Sequence, residues 1–269
     1  MKLFLILLFY LPLTLLSQDI PFQAGGKHNG MGNSSMALSQ VWSVNYNTAG
    51  IANLKQAEIG IYYTNRFLMQ ELSSQSFVAV LPSKFGNWGV EIDHFGYQIH
   101  NETQIGLAYA KTLNKYLSLG VKFDYLNLHQ EEVYGNISTI LAEVGVLSHP
   151  YESIYLGFYV YNPSLSKYNT VDDFKAPTIL SFGGAYTPDP LVNLTIQVDK
   201  PLEHSATYKL GVEFNLKDAL FLRTGVNISP NAYFLGLAYY FKNIRMDFAF
   251  SYQNTLGVSP AGSMSYAFK

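Results

Sequence analysis

The chain has 269 residues, of which 48% are hydrophobic, 15% aromatic and only 13% charged, with no cysteine and a net charge of −2. A soluble domain usually carries about a quarter of its residues as charges, so too few are present to coat a soluble surface of this size. The near-neutral balance gives no reason to expect nucleic acid or a polybasic membrane contact, and the missing cysteine excludes disulfides, thiol chemistry and an N-terminal lipoprotein anchor.

Residues 1–17 read as a secretory signal: Lys2, an apolar run from Leu3 to Leu16, then Ser17 before Gln18. No later apolar run reaches the roughly 18 residues that a membrane-spanning helix needs. Residues 18–55 are rich in Gly, Asn, Ser and Ala and lack a strand period. Read from the residues alone, this segment is either a loose tail or a compact plug. Its small residues allow tight turns and close backbone approach, while Met36, Leu38, Val41 and Trp42 offer groups to pack on a surrounding wall.

From residue 56 to 269 the chain alternates with period two, the signature of strands with two chemically distinct faces. Fourteen strands are predicted: 57–67, 73–82, 87–96, 102–112, 115–127, 136–148, 152–162, 177–187, 190–199, 206–216, 219–228, 231–241, 244–253 and 260–268. In the tenth, Tyr208, Leu210, Val212, Phe214 and Leu216 alternate with Lys209, Gly211, Glu213 and Asn215. One face is large and apolar; the other mixes charge, glycine, small residues and tyrosine. That pairing fits a transmembrane β-barrel, apolar toward lipid and polar toward a lumen, better than a soluble sandwich. The predicted class is therefore an all-β antiparallel barrel of about fourteen strands. Strands 73–82 and 177–187 are ambiguous in phase.

The connections sort by length. Links at 83–86, 113–114, 149–151, 187–190, 217–218 and 242–243 are tight, and those at 96–101, 128–135, 162–176, 200–205 and 254–260 are longer. Short turns on one rim and longer loops on the other is the outer-membrane pattern, and with a signal peptide it predicts the bacterial outer membrane.

The lumen-facing parity gathers Glu91, Asp93, Lys122, Asp124, Glu143, Lys209, Glu213, Arg223, Arg245 and Asp247, with Glu58, Arg66 and Asp199. Buried charges must pair, which predicts salt-bridge networks crossing the lumen to brace it or hold the plug; a lined solute path is the alternative. The six histidines show no metal-ligand spacing. His94, His129 and His204 fall near the outer rim, but no triad or oxyanion donor accompanies them. No enzyme, metal or cofactor is expected.

Gly30-Met31-Gly32-Asn33-Ser34-Ser35-Met36-Ala37, followed by Asn45-Tyr46-Asn47-Thr48-Ala49-Gly50-Ile51-Ala52-Asn53-Leu54, resembles the N-terminal motif of the PorV/PorQ-type proteins of Bacteroidetes. These are related to the long-chain fatty-acid transporter (FadL-type) barrels. Thr48 stands where the family has proline. The resemblance implies a fourteen-stranded barrel with residues 18–55 as its plug, the motif being Gly30, Met31, Gly32, Asn47, Ala49 and Gly50. It implies one of two functions. PorV-like members are non-enzymatic accessory subunits of a larger outer-membrane machine for type IX secretion or attachment, with other outer-membrane or periplasmic proteins and lipid as partners. FadL-type members pass small hydrophobic molecules passively. The modest outer loops favour the accessory reading, with FadL-like transport as the alternative.

Overall fold

The computed structural model describes residues 22–131, 135–168, 175–217 and 219–269; the expected signal segment 1–17 lies outside them. Fourteen strands close into one antiparallel barrel. They are β1 (Glu58–Asn65), β2 (Ser73–Leu81), β3 (Asn87–Gly96), β4 (His100–Asn114), β5 (Leu117–Gln130), β6 (Gly135–Tyr151), β7 (Ile154–Tyr161), β8 (Ile179–Asp189), β9 (Val192–Pro201), β10 (Thr207–Lys217), β11 (Leu220–Ile228), β12 (Ala232–Phe241), β13 (Ile244–Gln253) and β14 (Gly257–Ala267). Closure comes from β1 on β14, in a register running from Glu58 opposite Ala267 to Thr64 opposite Ala261. Each strand pairs with its sequence neighbour, so no edge is left open and the backbone is satisfied inside the bilayer. Among the described residues no helix is long and apolar enough to cross a membrane; the chain crosses with strands.

The two faces separate as the period-two pattern requires. Ile105, Leu107, Phe123, Phe182, Ile196, Leu235, Leu237 and Phe248 point outward and are exposed, which on a transmembrane barrel means toward lipid. Trp88, Tyr109, Tyr151, Tyr186 and Tyr239 near one rim, and Tyr63, Tyr97, Tyr125, Tyr233 and Tyr252 near the other, form the aromatic belts expected at the two interfaces. The ambiguous strands are resolved by their surroundings. β2 turns Ser74, Ser76, Val78 and Val80 inward, the valines toward the plug, so both of its faces contain apolar side chains. β8 has glycine on both faces, at Gly183 and Gly184, which erases the contrast.

The loop asymmetry is real but smaller than the sequence indicated. β4 begins at His100, β5 continues to Gln130 and β14 begins at Gly257, so much of three expected loops is strand. The loop after β7 remains long. Asn162 is its staple: the side-chain amide donates to the Ala176 carbonyl (2.9 Å), its oxygen accepts from the Ser166 amide (2.9 Å), and its own amide donates to the Ala142 carbonyl (3.0 Å).

The plug fills the lumen. A short helix α1 (Gly26–Gly30) lies against β11–β14, and two 3-10 turns, Val41–Val44 and Thr48–Asn53, lie against β1–β6. Trp42, Met31, Met36, Val44 and Ile51 are fully buried. Apolar burial stabilises by about 1.5–3 kcal/mol for each such side chain, so packing rather than any one ion pair holds the plug.

The lipid face yields a clear expectation. Leu235→Arg, near the middle of β12, places a charge in hydrocarbon and is expected to cost ~2–4 kcal/mol, read by denaturant unfolding in lipid vesicles, whereas Leu235→Phe stays close to the parent. Equal stability of the two variants would mean this face does not meet lipid.

Candidate functional site

The site is the seam between plug and wall. β1, β3, β5 to β8 and β10 to β12 each turn one glycine inward against the plug. At Gly225 a Cβ would lie 2.3 Å from the Gly32 nitrogen and 2.5 Å from the Met31 carbonyl carbon; at Gly120 it would lie 2.4 Å from the Ala49 nitrogen. Backbone meets backbone there, and no side chain fits between. Gly32 itself has φ +66°, a left-handed conformation that favours glycine. Small residues on both partners thus let the plug run around the inner wall: Gly30 touches Gly236, Ser34 bonds Thr195 (2.6 Å), the Asn47 amide reaches the Val146 carbonyl (3.2 Å), and Ala49 and Gly50 follow in the second turn. Asn87 closes the exit, its amide donating to the carbonyls of Ile51 (2.7 Å) and Leu54 (2.8 Å).

The plug has a polar centre of its own. His28 stacks on Tyr46 at 4.0 Å and shares a hydrogen bond with Ser35 (2.8 Å); Gln40 donates to the Tyr46 hydroxyl. Burial pushes His28 well below its ordinary pKa, so it is neutral, and raises Tyr46 to about 12.

The lumen charges form three groups on separate arcs of the wall. In the first, Lys122 on β5 reaches Glu91 (2.5 Å), Glu143 (3.0 Å) and Asp124 (3.5 Å), and donates to the plug's Val44 carbonyl (3.1 Å). Gln104 bridges Glu91 (2.6 Å) and Asp124 (3.0 Å), while Asp93 accepts from the plug's Asn45 (3.1 Å). In the second, Glu213 on β10 takes Arg223 (2.6 Å) and the plug's Lys27 (2.6 Å), and Asp247 on β13 takes Arg223 (2.5 Å) and Arg245 (3.1 Å). The third is the pair Lys209–Asp199.

The expected pairing across the lumen is therefore corrected. Charges pair along one wall, as in Lys122 opposite Glu143 and Glu213 opposite Arg223 in register, because the plug occupies the space between opposing walls. Arg66, expected on the lumen face, lies beyond β1 in the loop, over the Phe95 ring at 5.3 Å. Lys27 was missed in the sequence: a single lysine in a small-residue segment has no pattern around it. It supplies the ion pair between plug and wall among the described residues. The glycine contacts did leave a signal, since inward glycines recur strand after strand opposite a Gly/Ala/Ser-rich segment.

Above the first charge group the inner wall turns apolar. Lys122 and Asp124 on β5 are followed by Leu126 and Leu128; Glu143 on β6 is preceded by Leu141 and Ile137. With Tyr159, Tyr161 and Ile179 these form one buried cluster toward the long-loop rim. Beside it a cavity of about 30 Å³ lies between Tyr46, Tyr159, Ile179 and Pro201. Larger open spaces lie at each end of the lumen, about 200 Å³ at the long-loop end and about 430 Å³ at the short-turn end. Among the described residues no group of three or more His, Cys, Asp or Glu is placed to hold a metal. The rim histidines sit with neutral partners, His94 with Thr103 (3.1 Å) and His129 with Asn136 (2.8 Å).

No protein-family model matches the chain, and a search of curated proteins finds no match. Solved structures do share its fold. The toluene transporter TbuX of Ralstonia pickettii matches with a TM-score of 0.71 at 12% identity, over 91% of this chain and 98% of its own. The toluene transporter TodX of Pseudomonas putida matches with a TM-score of 0.65 at 12% identity, over 93% and 99%. A FadL homologue of Pseudomonas aeruginosa gives 0.63 at 12%, over 92% and 99%. The fold is thus that of the FadL-type outer-membrane barrels.

The close contact at Gly225 is testable in a chain without cysteine. A Gly225→Leu barrel is expected to fold, shown by its heat-modifiable migration, while its plug is displaced. A cysteine placed by Met31→Cys should then label with a maleimide many-fold faster than in the barrel that keeps Gly225. Unchanged labelling would show that the wall glycine does not seat the plug.

Proposed function

We propose that the chain is a non-enzymatic channel of the bacterial outer membrane that passes small apolar molecules, with the plug as the element that must shift. The observation that carries this reading is the apolar arc of Leu126, Leu128, Ile137, Leu141, Tyr161 and Ile179 on the inner wall above the plug. The arc is packed at rest on the plug and the loop after β7, with Tyr46 and Ala176 in the same cluster, and once uncovered it offers an apolar solute the contacts a path needs. The fold shared with TbuX and TodX, both described as toluene transporters, supports the same reading. The resting cavity of about 30 Å³ is far smaller than the ~150 Å³ that accommodates a benzene ring. Transport therefore requires the plug and the apolar arc to separate.

The comparisons favour this reading over the accessory role that the N-terminal motif suggested. A role as subunit of a secretion or attachment complex, with outer-membrane or periplasmic partners, is a separate proposal, and co-purification from native membranes tests it.

Transport is tested with proteoliposomes and labelled toluene. Uptake by the purified barrel is expected to exceed that of empty vesicles several-fold. Leu141→Asp, which adds a charge to the arc, should abolish most of the gain while leaving heat-modifiable folding intact. A folded barrel that adds no uptake, and that co-purifies with stoichiometric envelope proteins, would overturn the transport reading in favour of the accessory one.

A further inference from the structure

The two end chambers are distinct from the apolar arc and have a charge character of their own. The long-loop chamber is lined by Arg66 and Lys209 among polar groups such as Asn29, Asn33, Asn227 and Gln253. The short-turn chamber is lined by Lys27 and Lys115, with His149, Asn53 and Asn193. Every charged side chain lining either chamber, among the described residues, is basic, although the whole chain has a net charge of −2.

The barrier between the chambers is thin. Asn29 borders one and Lys27, two residues away, borders the other, so α1 itself stands between them. On β10 the inward positions run Lys209, Gly211, Glu213. Lys209 lines the upper chamber, and Glu213 is capped by Lys27 from below at 2.6 Å. The four rises of strand from Lys209 to Glu213 span about 13 Å. The side chains in the barrier are Lys27, Arg223 and Arg245 against Glu213 and Asp247, an excess of cations. Rings of Lys and Arg are what pores use to admit anions.

We infer that the lumen holds a second, polar route, for small anions, which joins the two chambers past α1 and is closed at rest by the Lys27–Glu213 ion pair. The geometry makes Lys27 a latch. It ties α1 to the wall at β10, Asn193 supports Glu213 from the adjacent strand (2.9 Å), and the Gly26 amide is held by Ser263 (2.9 Å). Releasing the lysine frees the end of α1 nearest the short-turn chamber and exposes Arg223 and Arg245 to the opened path. The route does not rest on apolar transport, since it is argued from Lys27, Glu213, Arg223 and Arg245, none of which belongs to the apolar arc.

The latch is sensitive to pH. Burial lowers Lys27 to about 8, opposed by Glu213 of β10 and reinforced by Arg245 of β13 and Arg223 of β11, with Asp247 of β13 balancing the two arginines. Below that pH the ammonium holds Glu213; as pH rises through it the lysine loses its charge and the tie weakens.

The test is conductance of the purified full-length barrel in planar bilayers under a KCl gradient. Lys27→Met is expected to raise conductance several-fold and to move the reversal potential toward that of chloride. Glu213→Gln, which keeps the side-chain shape, should do the same, and exchanging the charges (Lys27→Glu with Glu213→Lys) should return conductance to the resting level. The parent should open as pH rises through about 8, and Lys27→Met should show no step there. Unchanged conductance in folded Lys27→Met and Glu213→Gln barrels would overturn the route, and a reversal potential toward potassium would overturn its anion selectivity.

Discussion

A lumen filled by a plug must satisfy the plug's backbone without water, and the wall meets that demand with glycine. Where Met31, Gly32, Thr48 and Ala49 pass the strands, their backbone atoms lie where a wall Cβ would be. Side chains anywhere on that circuit would hold the plug off the wall and open space that buried amides cannot tolerate dry. The small residues of the plug and the inward glycines of the barrel are two halves of one constraint. The placement of the remaining groups follows from it. With the plug close to the wall, long side chains such as Lys122 and Arg223 lie along the wall, and their partners are on the adjacent strand or the next one: Glu143 of β6 and Glu91 of β3 for Lys122, Glu213 of β10 and Asp247 of β13 for Arg223.

That constraint also explains why the charges divide by sign. The first group sets one ammonium, Lys122, against the carboxyl groups of Glu91, Asp124 and Glu143, with Asp93 beside them. The second sets three cations against Glu213 and Asp247. Neither group reaches across the lumen to balance the other, because Trp42, Met36 and the His28–Tyr46 stack fill the space between. Replacing such networks by apolar packing is often neutral or stabilising, while removing one partner costs several kcal/mol. Retaining them in a lumen that apolar residues would fill more simply is therefore weak evidence for stability and better evidence for orientation of the plug.

Much of this architecture was legible in the chain because a barrel strand has only two faces. The fourteen strands, the outward parity of Tyr208 to Leu216 and the inward parity of Lys122 and Asp124 follow from period two alone. Phase was ambiguous in β2 because the plug changes what the inner face needs, Val78 and Val80 being inward and apolar because they meet Trp42 and its neighbours rather than water, and in β8 because Gly183 and Gly184 leave both faces alike. Loop lengths were overestimated where polar residues such as His129 and Gln130 continue a ladder beyond the apolar band. Partner choice among the lumen charges was not legible at all. Parity places a side chain on a face, but only register and the position of the plug decide which neighbour it meets, and Lys27 belongs to a segment with no period to read.

The lumen that results is asymmetric around its circumference. On the β5–β8 side, carboxylates give way to leucine, isoleucine and tyrosine toward the long-loop rim. On the β10–β13 side, Lys27, Arg223 and Arg245 outnumber Glu213 and Asp247 beside α1. An apolar solute entering from the long-loop end finds favourable contacts on the first side and a desolvation cost on the second; a small anion finds the reverse. The same plug is packed on both sides, Val44 and Ile51 against Gly89 of β3 and Met31 and Gly32 against Gly211 of β10 and Gly225 of β11, but among the described residues only on the second side does an ion pair, Lys27–Glu213, add to the packing. Packing yields only when a bulky group displaces it, whereas an ion pair yields to loss of one charge. One barrel can therefore hold two barriers that respond to different stimuli, because an ion pair supplements the packing on only one side of the segment that seals it.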